Sequence, residues 1–308
     1  MAPHIVVIGS LNMDLVIQAP RHPLPGETIT GGPFRIIPGG KGANQAVAAA
    51  RMGGRVTMIG RVGSDAFGDE LLATLAAAGV DVGRVERATA ATGVALITVS
   101  AQGENSIVIA PGANGTVSAE TVRAHEAAIA AADAVLLQLE VPLPAVQEAV
   151  AIAHHHGVPV VLNPAPAQPL PAELLAQVSY LIPNEHEAAI LAGLNPAAGE
   201  EASRLAARLQ AQGVGQVILT LGARGALFLA PEGPVYVPAF RVPVVDTTAA
   251  GDAFVAAFAV ALAEGQPLAQ AVRMGCAAGA LACTVFGAQP SLPTRARVEE
   301  LMASSGDL

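Results

Sequence analysis

The chain has 308 residues and a net charge of −9; 52% of its residues are hydrophobic, only 3% are aromatic, and Trp is absent. A chain of this length buries a sizeable core, in one large domain or in two ordinary ones. The acidic balance and the lack of a basic run argue against nucleic acid and against an anionic membrane surface as partners.

Three features of the sequence indicate where in the cell the protein is found: the N-terminus, the apolar runs and the cysteines. The first residues, MAPHIVVIGS, lack the basic region of a signal peptide, and the longest apolar run, 253–263, is too short for a membrane span. Cys276 and Cys283 fall in one predicted helix without the spacing of a zinc site. We therefore expect a cytoplasmic protein with two reduced, buried thiols.

The chain opens on the run HIVVIG, residues 4–9, which predicts a parallel strand buried on both faces. Asn12 and Asp14 follow it, and we expect them just past the carboxyl end of this strand, where open α/β sheets bind ligands. Weakly alternating runs then predict a small accessory β-sheet. These runs are 15–19, 27–30, 34–37, 93–100 and 105–110, the last two joined by the turn AQGE.

The remainder alternates predicted strands and helices. Strands are predicted at 55–60, 134–139, 158–162, 180–182 and 216–221, and helices after Gly39, at 65–78, 118–131, 143–156, after Pro183 and at 200–212. Such repeated βα units predict an α/β fold with a doubly wound, mostly parallel sheet flanked by helices. We expect a single domain over 1–308, with the accessory sheet inserted from about 15–38 and 93–110.

The stretch VDTTAAGDAF, residues 245–254, runs from a small polar turn into an apolar helix. The first N–H groups of a helix lack partners and carry partial positive charge, so Ala249, Ala250 and Gly251 form a candidate anion site. Asp252 in the first turn has two interpretations. It either caps the helix or acts as a general base beside a bound phosphoryl group.

Other polar groups follow predicted strands or Gly-rich turns. GGKGANQA, residues 39–46, is neither a P-loop nor a dinucleotide fingerprint, but it folds tightly enough for Asn44 to reach sugar hydroxyls. Glu140 ends the run LLQLE. Asn184 and Glu187 are either helix caps or oxygen ligands of a hydrated magnesium ion. TLGARG, residues 220–225, is either a plain hairpin or a turn that receives the phosphates of a nucleotide.

Together, these stretches resemble the ribokinase family of carbohydrate and nucleoside kinases over essentially the whole chain. The matching motifs are GSLNMD (9–14), PGET (25–28), GGKGANQA (39–46), NPAPA (163–167), PNEHEA (183–188), TLGARG (220–225), VDTTAAGDAF (245–254) and GAQPS (287–291). The resemblance implies a ribokinase-like fold and the ATP-dependent phosphorylation of D-ribose at its 5-hydroxyl. It further implies Mg²⁺, an activating K⁺, and a homodimer formed through the accessory sheet, which acts as a lid.

The resemblance also assigns residues. Asp252 is the implied base, with Ala249, Ala250 and Gly251 as the anion hole. The implied sugar site consists of Asn12, Met13, Asp14, Gly40, Lys41, Gly42, Ala43, Asn44, Glu140 and Asp252. The implied ATP site consists of Asn184, Thr220, Leu221, Gly222, Ala223, Arg224, Gly225, Gly251, Asp252 and Cys276. Potassium is implied at Asp246, Thr248, Ala282, Val285, Gly287 and Ser291, and magnesium at Asn184 and Glu187 through water. Met13 and Thr248 depart slightly from the family pattern.

Several alternatives stay open at this point. A fructokinase, a deoxyribokinase or a nucleoside kinase shares the implied fold; Asn12 and Asp14 favour a sugar with adjacent 2- and 3-hydroxyls, and the scarcity of aromatic residues disfavours a nucleoside. A non-catalytic sugar sensor predicts a damaged anion site or a missing base, and both features are intact. A dinucleotide-dependent dehydrogenase requires GxGxxG after the first strand, which is missing.

Overall fold

The computed structural model describes residues 2–102 and 104–305. Its strands are β1 (His4–Ile8), β2 (Asn12–Gln18), β3 (Phe34–Gly39), β4 (Arg55–Gly63), β5 (Val80–Ala88), β6 (Gly93–Val99), β7 (Asn105–Ala110), β8 (Ala134–Leu137), β9 (Val160–Leu162), β10 (Tyr180–Leu181), β11 (Gln216–Thr220), β12 (Ala226–Ala230) and β13 (Gly233–Val237). Its helices are α1 (Lys41–Arg51), α2 (Ala66–Ala77), α3 (Ala119–Arg123), α4 (Glu126–Ala130), α5 (Leu143–His155), α6 (Ala172–Leu175), α7 (Glu185–Leu191), α8 (Ala202–Gln210), α9 (Ala250–Ala263), α10 (Leu268–Ala282), α11 (Ala288–Ser291) and α12 (Arg295–Ser304).

The large sheet confirms the predicted fold class. Its strand order is β13-β12-β11-β10-β9-β8-β1-β4-β5. The seven strands from β11 to β5 in this order are parallel to one another, and β12 and β13 at one edge pair antiparallel. Strand β1 lies between β4 and β8, so the chain builds one side of the sheet and then returns to build the other. The carboxyl end of β1 is therefore the switch point where such sheets bind ligands.

The small sheet has the order β3-β2-β6-β7 and confirms four of the predicted accessory strands. The strand expected at 27–30 is wrong, because this segment pairs with no strand. It is held instead by Glu27, which accepts from Arg21 Nη1 at 2.6 Å and from the N–H of Leu24 at 3.0 Å. The turn AQGE includes Gly103, which lies outside the described residues.

Two smaller expectations also need correction. The helix predicted over 118–131 is divided into α3 and α4 at His125, whose φ of −113° is not helical. Cys283 follows the end of α10 and is half-buried, whereas Cys276 is buried as expected, and both are free thiols.

Apolar side chains pack on both faces of the large sheet, which explains the uninterrupted run in β1. Ile5 and Val7 face one core cluster, and Val6 and Ile8 face the other. Helix α9, apolar on nearly every side, packs against α1 and α10 in the first cluster. This packing fixes the first turns of α1 and α9 beside each other at the carboxyl edge of the sheet. No helix in the described part of the chain is long and apolar enough to cross a membrane.

Candidate active site

Polar residues gather where β1 and β8 end, and two of them follow β1 as expected but already belong to the accessory sheet, whose first strand was predicted to begin only at residue 15. Asn12 and Asp14 lie in β2 of the small sheet, because the chain turns directly after β1 and pairs with β3 and β6. Glu140 follows β8, which already ends at Leu137. The residues predicted to bind the sugar therefore come from both sheets.

Glycines allow α1 to begin close to these groups. Gly40, the residue before α1, has φ 87°, a conformation that favours glycine. A Cβ at Gly42 would lie 2.6 Å from the backbone nitrogen of Ser10, and one at Gly39 would lie 2.2 Å from Asp14 Oδ2. Side chains at these positions would push α1 and Asp14 away from the end of β1.

Hydrogen bonds fix Glu140 and Asn12. Glu140 Oε2 accepts from Ser10 Oγ at 2.5 Å, from the N–H of Lys41 at 3.1 Å and from Asn12 Nδ2 at 3.5 Å. The amide oxygen of Asn12 accepts from Asn114 Nδ2 at 2.7 Å. Asn12 is buried, so these bonds hold its side chain in one orientation.

Asp252 is not the cap of α9. The residue at the cap position is Ala249, with φ 59°. The carboxylate of Asp252 is only 6% exposed, and its two oxygens accept from Asn44 Nδ2 at 2.9 Å and from Gln45 Nε2 at 3.0 Å. The capping alternative is therefore wrong, and Asp252 is a buried carboxylate held by two amide groups of α1.

The start of α9 presents free N–H groups. The N–H of Ala250 donates to the Thr247 carbonyl at 3.3 Å, whereas no acceptor among the described residues reaches the N–H groups of Ala249, Gly251 and Asp252. Nothing lies within 4 Å of the position of a Cβ at Gly251. These donors at a helix N-terminus, with open space before them, suit a phosphate oxygen.

Burial and neighbouring charges shift the pKa values of the site. Burial, together with the charges of Glu140 and Asp252, raises the pKa of Asp14 to about 7. Burial also raises the pKa of Asp252, against the opposing effects of Lys41, Asn44 and Gln45. For Lys41 burial acts to lower the pKa, but the surrounding carboxylates, with Asp252 and Glu140 foremost, raise it overall. Lys41 is thus a charged ammonium surrounded by acidic groups.

Two cavities meet at this site. One, of about 220 Å³, brings together predicted sugar, anion, nucleotide and magnesium residues: Lys41, Asn184, Glu187, Thr220, Ala249, Gly251 and Asp252. The other, of about 810 Å³, lies between the inner face of the small sheet, including Asp14, and the segments 244–248 and 286–288. Thr247 lines both cavities, so they adjoin beside the start of α9.

The predicted nucleotide residues are placed at one edge of the smaller cavity. Asn184 caps α7: its Oδ1 accepts from the N–H of Glu187 at 2.8 Å, and Glu187 Oε2 accepts from the N–H of Asn184 at 2.9 Å. Residues 220–225 form the turn of the β11–β12 hairpin, and Arg224 Nη2 donates to Glu185 at 2.5 Å. Both plain interpretations, cap and hairpin, therefore hold, and both elements also border the cavity through Asn184, Glu187 and Thr220.

Some of the residues predicted to bind potassium lie together in one cluster of loops. Asp246 Oδ1 accepts from the N–H and the hydroxyl of Thr248, at 3.0 and 2.7 Å, and Oδ2 accepts from the N–H of Gly287 at 2.8 Å. Ser291 is buried and donates to the Ala288 carbonyl, while Val285 is exposed. The carboxylate of Asp246 therefore ties the segment before α9 to the loop at Gly287.

Several predicted site residues have side chains that are buried in packed surroundings. The side chains of Met13, Ala43 and Ala282 lie in the hydrophobic core, and Gly42 provides the close approach to Ser10. Cys276 is buried, with its sulfur 4.0 Å from the carbonyl oxygen of Val237, and is not among the residues lining either cavity.

Sequence reasoning missed an inner set of polar residues: Ser10, Gln45, Asn114, Gln138 and Asn163. All are buried, and they hold Glu140, Asp252 and Asn12 in place. The signal that could have found Gln138 is its position in LLQLE, a polar residue inside a run that reads as a buried strand.

A buried carboxylate beside free N–H groups and a lysine, at the switch point of a doubly wound sheet, suits an α/β kinase that acts on a small molecule. The comparisons are more specific. The profile for pfkB family carbohydrate kinases matches residues 2–295, and the chain belongs to this family. The resemblance drawn from the motifs is confirmed.

Individual relatives extend this result. The chain is 44% identical to a ribokinase of Haemophilus influenzae, covering 98% of this chain and 99% of the relative. It is 38% identical to a deoxyribokinase of Salmonella typhi, covering 97% and 98%. Among solved structures, the Arabidopsis thaliana ribokinase complexed with ribose and ATP matches with a TM-score of 0.88 and 35% identity, covering 98% of this chain and 99% of that one.

Proposed function

We propose that this chain phosphorylates D-ribose at the 5-hydroxyl with ATP, giving ribose 5-phosphate and ADP. The observation that carries the proposal is the placement of Asp252, buried beside the free N–H groups of α9 and lining the smaller of the two adjoining cavities. Full-length similarity to ribokinases, one of them with bound ribose and ATP, supports it.

The residues divide the work as follows. Asp14 and Asn44 face the sugar: the carboxylate of Asp14 accepts from hydroxyls, and the buried Oδ1 of Asn44, without a partner in the described residues, accepts from another. Asp252 takes the proton of the attacked hydroxyl. The N–H groups of Gly251 and Asp252 hold a phosphate oxygen in place, and Lys41 adds positive charge beside it.

Two cations belong to the proposal. Magnesium, held through water near Asn184 and Glu187, would neutralise phosphate charge; the half-buried Glu187 and its free carboxylate oxygen fit such a role. Potassium would bind near Asp246 and Gly287, where one loop cluster adjoins the start of α9. For the described residues no group of three or more His, Cys, Asp or Glu suits a metal ion, which favours carbonyl and water ligands for both.

We further propose that the small sheet acts as a lid over a single α/β domain. Its inner face, with Asp14 and Val16, borders the larger cavity, so closure would remove water from the bound sugar. The free thiols suit the reducing cytoplasm, where we expect the enzyme to act.

The outer face of the same sheet supports a homodimer. Ile36, Leu15, Leu96 and Val108 stand in register across all four strands, with Leu96 52% and Val108 65% exposed. An apolar row of this kind is a protein-contact surface. We expect Leu96→Lys to give a monomer in light scattering and Leu24→Lys, an exposed position outside the sheet, to leave a dimer. A wild-type monomer would contradict the proposal.

The test measures ADP formation from ATP and Mg²⁺ with D-ribose, 2-deoxyribose, fructose and adenosine, in potassium and in sodium. We expect ribose-selective turnover that potassium stimulates. Asp252→Asn should lower kcat by roughly 10²- to 10⁴-fold while calorimetry still detects ribose binding. Near-normal turnover in that variant would overturn the role of Asp252.

A deoxyribokinase is the second candidate, because a deoxyribokinase matches over nearly the whole chain. Asp14 argues against it, since a buried carboxylate is better satisfied by two sugar hydroxyls than by one. Faster turnover of 2-deoxyribose than of ribose would favour this second candidate.

A further inference from the structure

Behind Asp252 lie two glutamines that neither cavity reaches, Gln45 on α1 and Gln138 after β8. Both side chains are 0% exposed. Gln138 Nε2 donates to Gln45 Oε1 at 2.6 Å, and Gln45 Nε2 donates to Asp252 Oδ1 at 3.0 Å and to Asn163 Oδ1 at 3.3 Å. We name the pair Gln138–Gln45 the amide relay.

The relay has a direction. Because Gln138 donates to the oxygen of the Gln45 amide, the nitrogen end of that amide is turned toward the Asp252 carboxylate. The reverse orientation would place an amide oxygen against a carboxylate oxygen, which repel each other. Gln138 is itself confined: a Cβ at Gly9 would lie 2.1 Å from Gln138 Oε1, so only glycine at that position leaves room for it.

We propose that Gln45, oriented by Gln138, is a positioning residue that holds the Asp252 carboxylate toward the attacked hydroxyl and in its ionised form. This inference rests on the proposed function, in which Asp252 is the general base. Asn44 fixes the other oxygen of Asp252, at 2.9 Å, so the two amides together leave the carboxylate a single orientation.

The expected consequence is a shift in pH dependence. An N–H donor stabilises the carboxylate over the acid, so losing it raises the pKa of Asp252. A base works when deprotonated, so the acid limb of the kcat profile should move to higher pH. The charged groups that face Asp252 are Lys41 on α1, Glu140 after β8, Asp14 on β2 and Glu187 on α7, and every variant below retains them.

The experiment uses Gln45→Met and Gln138→Met, which keep side-chain length and remove the amides, with the remote Gln177→Met as the control. Gln45→Met should lower kcat by about 10- to 100-fold and raise the acid limb by about one pH unit. Gln138→Met, which removes no bond to Asp252, should lower kcat by a few-fold and shift the limb in the same direction. The KM for ribose should stay within about twofold in both, because neither residue reaches the sugar cavities.

Each result has one meaning. Normal kcat and an unshifted acid limb in Gln45→Met, while the wild type is active and Asp252→Asn is not, would overturn the relay and leave the proposed function standing. A raised KM with unchanged kcat would assign the glutamines to sugar binding and also overturn it. If Gln45→Met fails to fold, Gln138→Met decides by the same criteria. Activity in Asp252→Asn would remove the basis of both proposals.

Discussion

Replacing Asp14 with Asn should stabilise the protein without its sugar, by an amount that depends on pH. Asp14 is 8% exposed, and its carboxylate has no hydrogen-bond partner among residues 2–102 and 104–305. Its pKa is about 7, against an ordinary value of 3.8. Since the folded state binds this proton more tightly than the unfolded chain does, the favourable contribution is complete below pH 3.8 and is lost as the pH rises through 7.

The magnitude follows from this difference. Relative to strongly acidic pH, the raised pKa of Asp14 lowers the free energy of unfolding by about 2 kcal/mol at pH 5, where only the unfolded chain ionises, and by about 4 kcal/mol at pH 8, with little further change above. Asp14→Asn removes the charge, so its stability advantage over the wild type should grow by about 2 to 3 kcal/mol between these two pH values. The comparison between pH values cancels any constant effect of the substitution itself.

The assay is urea unfolding at pH 5 and pH 8, without sugar, followed by circular dichroism because the chain has no Trp. Glu70→Gln, at an exposed position on α2, is the matched control and should show the same difference from wild type at both pH values. An advantage for Asp14→Asn that is equal at pH 5 and pH 8 would refute the reasoning, because the buried charge would then carry no cost.

Three further predictions concern the same site. The affinity for ribose should rise with pH up to about 7, because the sugar hydroxyls favour the ionised form of Asp14. Binding should therefore release protons, which calorimetry in buffers of different ionisation enthalpy would measure. An affinity that does not change with pH would contradict this prediction. Gly39→Ala should raise the KM for ribose by about 10-fold or more, because its Cβ displaces the Asp14 carboxylate. Asn184→Ala should destabilise α7 by about 1 kcal/mol; a parallel rise in the KM for Mg-ATP would indicate the magnesium role, and an unchanged KM would leave only the cap.

The sequence was most informative where short-range pattern and local chemistry coincide. The run in β1 predicts a strand buried on both faces, and its side chains do alternate between two cores. The transition from a small polar turn into an apolar helix predicts the N-terminus of α9 and its free donors. Both features depend on neighbours within a few positions, which a single sequence contains.

What the sequence could not predict depends on distant partners. Gln45 and Gln138 are separated by 93 positions, and Gln45 and Asp252 by 207, so neither hydrogen bond leaves a local pattern. Asn12 and Asp14 were expected just past the end of β1, before an accessory strand predicted to begin at residue 15; pairing with β3 and β6 extends that strand back to Asn12. Residues 27–30 alternate weakly in sequence, but in the structure they form no ladder with any described strand.

Asp14 and Asp252 are both buried carboxylates, and burying a carboxylate costs stability unless donors satisfy it. The structure deals with this cost differently at the two positions. The carboxylate of Asp252 accepts hydrogen bonds from the side-chain amides of Asn44 and Gln45, so both of its oxygens have partners without a ligand. The carboxylate of Asp14 has no hydrogen-bond donor within the described chain, and Gly39 contributes only the space that this carboxylate occupies. Under the proposed function, the sugar would supply the missing donors at Asp14, and binding would recover a stability that the site without sugar gives up. The proposed base, Asp252, would keep its orientation with or without the sugar, because its two hydrogen bonds come from the protein itself.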